Sequence, residues 1–208
     1  MPFPTTPVLD DAERADENPL SDGGNWNGPI RGNLELLKIV SNQFAHHDGA
    51  GAQGAMWWTP EQFTRPLEVH VEIPVLSGVA GVYYCISNAP PDTTNVDFYS
   101  WQWQTSTTMR LYEVLNGVFT QVGSDYAITL ASGDAIGVYL DENGIHNLYH
   151  KPSAGSWTLI DSVDDDTFTS GFIGMTCGAN ATVRLDNFGG GEVVEKQSFF
   201  MSRRRAWR

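Results

Sequence analysis

The sequence predicts an all-β sandwich. Three observations carry this: apolar residues alternate with period two along about a dozen short segments, Asn-Gly pairs at 116–117 and 143–144 punctuate them, and no segment has a convincing helical pattern. Gly 21, Pro 11 and an aromatic content of 12% suit turn-rich β packing. At 208 residues the chain is long enough for one such domain with a real core.

Residues 1–7 form a Pro-rich lead, and 8–11 read as a short strand. A polar loop follows from Glu13 to the aromatic anchor Trp26, and Pro19 argues against a long helix within it. Strands are expected at 34–40 and 54–58; in the latter Trp57 and Trp58 point to opposite faces, so one of them should be exposed. Residues 67–73 alternate most cleanly: Leu67, Val69, Val71 and Ile73 face one way, Glu68, His70 and Glu72 the other. Further strands are expected at 81–87, 96–104 and 109–115, the last turning at Asn116-Gly117 into 118–122. Asn143-Gly144 joins 135–140 to 146–150, and 157–160 and 171–175 precede a closing strand at 184–188. That strand should pair near the N-terminus. Gly189, Gly190 and Gly191 should end it and act as a hinge, because such a run has too much backbone freedom to continue a ladder.

No stretch approaches the roughly 18 apolar residues of a membrane helix. The start has neither a basic nor an apolar leader region, so synthesis without a secretory signal is expected. Cys85 and Cys177 sit in strand-like runs and read as buried thiols rather than a bridge. The net charge of -13 is uneven: residues 192–208 carry +3 and residues 1–191 carry -16. An acidic body disfavours nucleic acid and anionic membrane. The basic, aromatic end, with Phe199, Phe200, Arg203, Arg204, Arg205 and Trp207, suits docking on an acidic protein surface. The chain thus divides into a lead (1–7), a sandwich (8–191) and a short non-globular C-terminal tail (192–208).

The runs at 133–140, 157–160, 168–174 and 185–188, with Asp10-Asp11, 14–20 and Asn25-Trp26 near the start, resemble the concanavalin A-like (laminin-G-like) jelly rolls. The resemblance covers about residues 8–190 and implies two antiparallel sheets with the first and last strands side by side. Members of that superfamily bind sugars, cleave them, or serve as modules of secreted and virion proteins, so fold alone selects no function.

Glu68, His70 and Glu72 are the catalytic candidates, since alternate positions of a strand project from one face at about 7 Å per step, and carboxylates on one face can flank a glycosidic bond. The laminarinase-type members use Glu-x-Asp-x-Glu; here His70 replaces the middle acid, and the polar outer face of a strand is the plainer reading. Tyr99, Trp101 and Trp103 alternate on one face and form either a sugar-stacking platform or core. Asp10 with Asp186 is a candidate pair of ligands for structural calcium, and Asp141-Glu142-Asn143 and 164–166 are further acidic turns. His46-His47-Asp48 and His146 with His150 have no cysteine nearby and no helix to set an i, i+4 pair, which argues against a transition-metal site. The combined expectation is a non-enzymatic structural or adhesion protein with a lectin-like face. It would be held in a larger assembly, such as a phage capsid or tail, through its tail, and so lie on a virion surface or outside the cell. A free carbohydrate-binding module, or a glycoside hydrolase or lyase using Glu68 and Glu72, is the alternative.

Overall fold

The computed structural model describes residues 2–47, 53–87, 96–105, 107–179 and 182–194. Among these the chain forms sixteen strands and one short 3-10 turn, Asp22–Gly24. The strands are β1 (Val8–Asp10), β2 (Trp26–Asn27), β3 (Leu37–Val40), β4 (Gln43–His46), β5 (Gly54–Trp58), β6 (Phe63–Thr64), β7 (Leu67–Val75) and β8 (Ala80–Ile86). They continue as β9 (Phe98–Thr105), β10 (Thr108–Leu115), β11 (Val118–Ala127), β12 (Asp134–Leu140), β13 (Ile145–Lys151), β14 (Thr158–Asp164), β15 (Ser170–Cys177) and β16 (Arg184–Glu192).

Two antiparallel sheets pack face to face. The front sheet runs β14-β13-β12-β7-β16-β4-β3, with β1 also on β16; the back sheet runs β11-β10-β9-β8-β15-β5-β2, with β6 on β15. Period-two alternation explains the core. Leu67, Val69, Val71 and Ile73 of β7 and Ile136, Val138 and Leu140 of β12 meet Val82, Tyr84, Tyr99, Trp101 and Met175 of the back sheet, and every one is fully buried. The two cysteines are buried and unbridged.

The closing strand pairs with β1 as expected, Val8 opposite Gly189 and Asp10 opposite Phe188. Its glycines, however, do not end it. β16 runs on to Glu192, with Gly189, Gly190 and Gly191 opposite His70, Val69 and Glu68 of β7. The run is there for close approach: a Cβ on Gly189 would strike the His70 ring and come 2.6 Å from the Pro7 carbonyl oxygen. The body also extends past the expected hinge, because Glu192 accepts from the Thr64 amide (2.8 Å) and the Val193 amide donates to Pro66 (2.8 Å).

Trp57 and Trp58 are both buried, against expectation. The outer face of the back sheet carries its own apolar layer, in which Trp57, Tyr83, Phe98 and Phe172 are covered by Ile30, Leu34 and Val96. Arg31 in that cover lies 5.3 Å from the Phe119 ring centroid, a cation–π contact.

Candidate ligand face on the front sheet

The outer face of the front sheet is built around one row of residues. His70 of β7 lies opposite Gly137 of β12, and Gly137 lies opposite Tyr149 of β13. On its other side His70 lies opposite Gly189. Rings therefore alternate with glycines across four strands, and each glycine leaves a slot.

The lead fills these slots. From β1 the chain turns back over the sheet and lays Phe3 above Gly137. Phe3 stacks on Tyr149 (centroids 4.0 Å apart, planes 1° apart) and meets Trp157 edge-on at 4.9 Å and His70 at 6.4 Å. A Cβ on Gly137 would come 2.6 Å from Phe3 Cζ, so the slot exists because the residue beneath it has no side chain.

The three catalytic candidates share this face but are engaged in holding the structure. Glu68 is 3% exposed. One of its oxygens accepts from the Thr5 and Thr6 amides at 2.7 and 2.9 Å and from the Thr6 hydroxyl at 3.0 Å. The Thr5 hydroxyl donates at 3.2 Å to either oxygen. Glu72 accepts from Lys151 Nζ at 3.2 Å and from Asn187 Nδ2 at 2.9 Å. Asn187 reaches it because β16 carries one extra residue between its pairings of Asp186 with Glu72 and Gly189 with His70, a bulge in which Asn187 adopts φ 49°. Burial pushes the His70 imidazolium below its ordinary range, the neighbouring Glu68 only partly opposing it. A glycosidase acid must offer its proton to a leaving oxygen, and its nucleophile must face the anomeric carbon. Glu68 faces four protein donors instead.

Two clefts flank Phe3. The larger, about 480 Å³, is lined by Pro2, Phe3, Tyr149, Lys151, Ser156 and Trp157 among others. The smaller, about 170 Å³, is lined by Pro2, Phe3, Glu68, Tyr139, Asn147 and Tyr149. Aromatic rings beside an amine, an amide and hydroxyls are the mix that holds a sugar: a flat face for stacking and polar groups for its hydroxyls.

The other sequence-predicted sites fall elsewhere. Tyr99 and Trp101 are 0% exposed and point into the sandwich, and Trp103 packs against the same core. The platform expectation is therefore corrected: these rings fill the space between the sheets. The Tyr99 hydroxyl donates to Asp165 Oδ1 (2.6 Å) and accepts from the Phe168 amide (3.1 Å), pinning the loop before β15. Beside it His146 is likewise internal. Its Nε2 lies 2.9 Å from the Asp165 carbonyl, which only accepts, so Nδ1 is left to accept from the Tyr84 hydroxyl at 2.6 Å. His150 pairs with Asp134 at 2.8 Å.

Asp10 and Asp186 do not form a calcium site. Asp10 is paired with Arg14 (2.6 and 3.0 Å) and also accepts from the Ala12 amide and the Trp26 indole N–H, at 2.8 and 2.7 Å. A carboxylate neutralised by a guanidinium is a poor cation ligand. The Asp186 carboxyl is pushed up by burial and then by the charges of Glu72, Asp11 and Glu13. Among the described residues no group of three or more His, Cys, Asp or Glu is placed to hold a metal ion. Phe199, Phe200, Arg203, Arg204, Arg205 and Trp207 lie outside the described residues.

Sequence reasoning missed Phe3, Tyr149 and Trp157. The available signals were a lone aromatic in a Pro-rich lead and a tyrosine on the polar face of the 146–150 strand.

No family model and no curated protein matches the sequence. Solved structures do match in shape. A protein of unknown function with a galectin-like fold from Bacillus subtilis superposes with a TM-score of 0.59 at 14% identity, over 88% of this chain and 96% of that one. The exoplasmic/lumenal domain of VIP36, in a form bound to Ca2+ and Man3GlcNAc, gives 0.61 at 10% identity over 88% and 90%. The Bacillus licheniformis β-glucanase gives 0.52 at 12% identity over 86% and 98%. The fold is the concanavalin A-like jelly roll. Its neighbours include both a Man3GlcNAc-bound domain and a glucanase, so the fold does not decide between binding and hydrolysis.

Proposed function

We propose that this protein is a non-enzymatic, carbohydrate-binding jelly roll whose ligand face is the outer front sheet around Tyr149 and Trp157. The observation that carries the reading is the state of Glu68. With four donors from Thr5 and Thr6 on its carboxylate, the residue best placed for glycoside chemistry is a structural acceptor. What remains on the face is stacking surface and fixed polar groups. The Man3GlcNAc-bound VIP36 domain among the structural neighbours supports the carbohydrate-binding part of this reading.

The wider role is a module of a larger assembly, of the kind found on a phage virion, attached through the basic end of the chain. The contrast between a -16 body and a +3 end supports this. Three tests separate the parts. A glycan array should give binding that Trp157→Ala abolishes and Trp103→Phe leaves intact. Reducing-sugar release from β-glucans should be absent; release that Glu72→Gln removes would establish a hydrolase instead. Truncation after Val194, which spares the Glu192 and Val193 contacts, should abolish assembly while sugar binding survives.

A further inference from the structure

The lead has the chemistry of a ligand already in place. Phe3 supplies a flat ring on Tyr149, and Thr5 and Thr6 supply hydroxyl and amide donors to one carboxylate. A pyranose offers the same pair: an apolar face and adjacent hydroxyl donors. The slot under Phe3 is made by removing a side chain at Gly137, and the clefts on both sides of the ring continue it along the sheet.

The way the lead is held differs from the way the strands are held. Residues 2–7 are not part of any strand. Pro2, Pro4 and Pro7 have no N–H to give a ladder, and the Thr5 and Thr6 amides go to the Glu68 side chain. The nearest backbone contact is Gly190 N–H to Pro7 O at 3.2 Å, at the β1 end. With Pro7 kept in place by Gly190, the lead can lift from Thr6 outward, giving up the bonds to Glu68 and that of the Thr6 backbone to His70 but no backbone bond of the front sheet.

We infer that residues 2–6 are a displaceable plug of the sugar slot. A pyranose-containing glycan enters by lifting Phe3 off Tyr149 and replacing Thr5 and Thr6 as the donors to Glu68. The inference rests on the reading of this face as carbohydrate-binding and adds that the resting protein occupies its own site.

Native-state hydrogen exchange on the full wild-type chain tests the plug without any ligand. The Thr5 and Thr6 amides should exchange through a local opening, about 100-fold or more faster than the Val71 and Ile136 amides and insensitive to low denaturant. Exchange of all four at one rate, through global unfolding alone, overturns the plug. Glycan affinity gives the second arm, because closing a site lowers apparent affinity by the fraction open. Phe3→Ala should bind about tenfold more tightly than wild type. Should that variant fold poorly, the Thr5→Val/Thr6→Val pair, which removes two donors and keeps the ring, should move affinity in the same direction. Equal affinity in wild type and these variants, with Tyr149→Ala abolishing binding, overturns the plug and leaves the carbohydrate reading standing. No glycan bound by wild type or by either plug variant overturns both.

Discussion

The ring of Phe3 lies parallel to that of Tyr149, with centroids 4.0 Å apart, directly over a glycine. Residues far apart in sequence thereby join the lead to the middle of the front sheet. Phe3 is 9% exposed, so the contact buries most of an aromatic side chain. Truncating a core Phe to Ala costs about 3–5 kcal/mol, and a surface-laid lead can relax into part of the gap. Phe3→Ala should therefore destabilise the fold by about 2 kcal/mol, read as a lower urea midpoint at unchanged slope.

Glu68 is held by charge-assisted hydrogen bonds whose charge an amide does not replace. A Gln carbonyl oxygen can take the place of the oxygen that both amides share, with its NH2 toward the Thr5 hydroxyl, so the contacts persist without the charge. Glu68→Gln should therefore cost only about 1 kcal/mol through lost charge assistance, whereas Glu68→Ala, which leaves both threonine amides without an acceptor, should cost about 2–3 kcal/mol and release the lead, seen as loss of exchange protection at both amides.

Acid should weaken the protein through its buried histidines. Burial holds the imidazolium forms of His70 and His146 below the ordinary value of 6.5. The unfolded chain then binds the extra protons first, so stability present above about pH 6.5 is lost as pH falls toward the folded-state values. Asp165 adds to the loss at lower pH: its carboxyl is held down by the Tyr99 hydroxyl and the Thr167 amide against the opposing effect of burial. Asp186, held up, works in the opposite sense. Urea midpoints should fall between pH 7 and pH 5, and His146→Gln should flatten that slope.

Trp101 is core, and its replacement should read as a stability effect. Trp101→Ala should cost about 3–5 kcal/mol, with glycan affinity unchanged in the fraction that stays folded. Selective loss of affinity at full stability would return the aromatic strand to the ligand face.

Much of the fold was legible in the sequence. The alternation of residues 67–73 gave β7 and its two faces, the Asn-Gly pairs gave two hairpins, and the closing strand found β1 as its partner. What sequence did not reveal is which faces become covered. A period of two separates two sides of a strand but does not say that Ile30 and Leu34 will close over one sheet and Phe3 over the other. Trp57 and Trp58 are both buried for that reason, and Tyr99 and Trp101 turned out to lie between the sheets. The glycine run misled because flexibility and close approach use the same residue; only the register of Gly189 on His70 and Pro7 separates them. Glu68, His70 and Glu72 were placed on the right face, but their partners sit in a lead without periodicity.

The measurement that bears most directly on the proposed ligand face is a titration of wild type and Tyr149→Ala with a glycan selected on an array. Tyr149 is on the solvent side of the front sheet and contributes nothing to the core between the sheets, so the variant should stay folded. Affinity should drop tenfold or more, about 1.4 kcal/mol of lost stacking. Unchanged affinity in a folded Tyr149→Ala protein would place the glycan elsewhere and contradict the account.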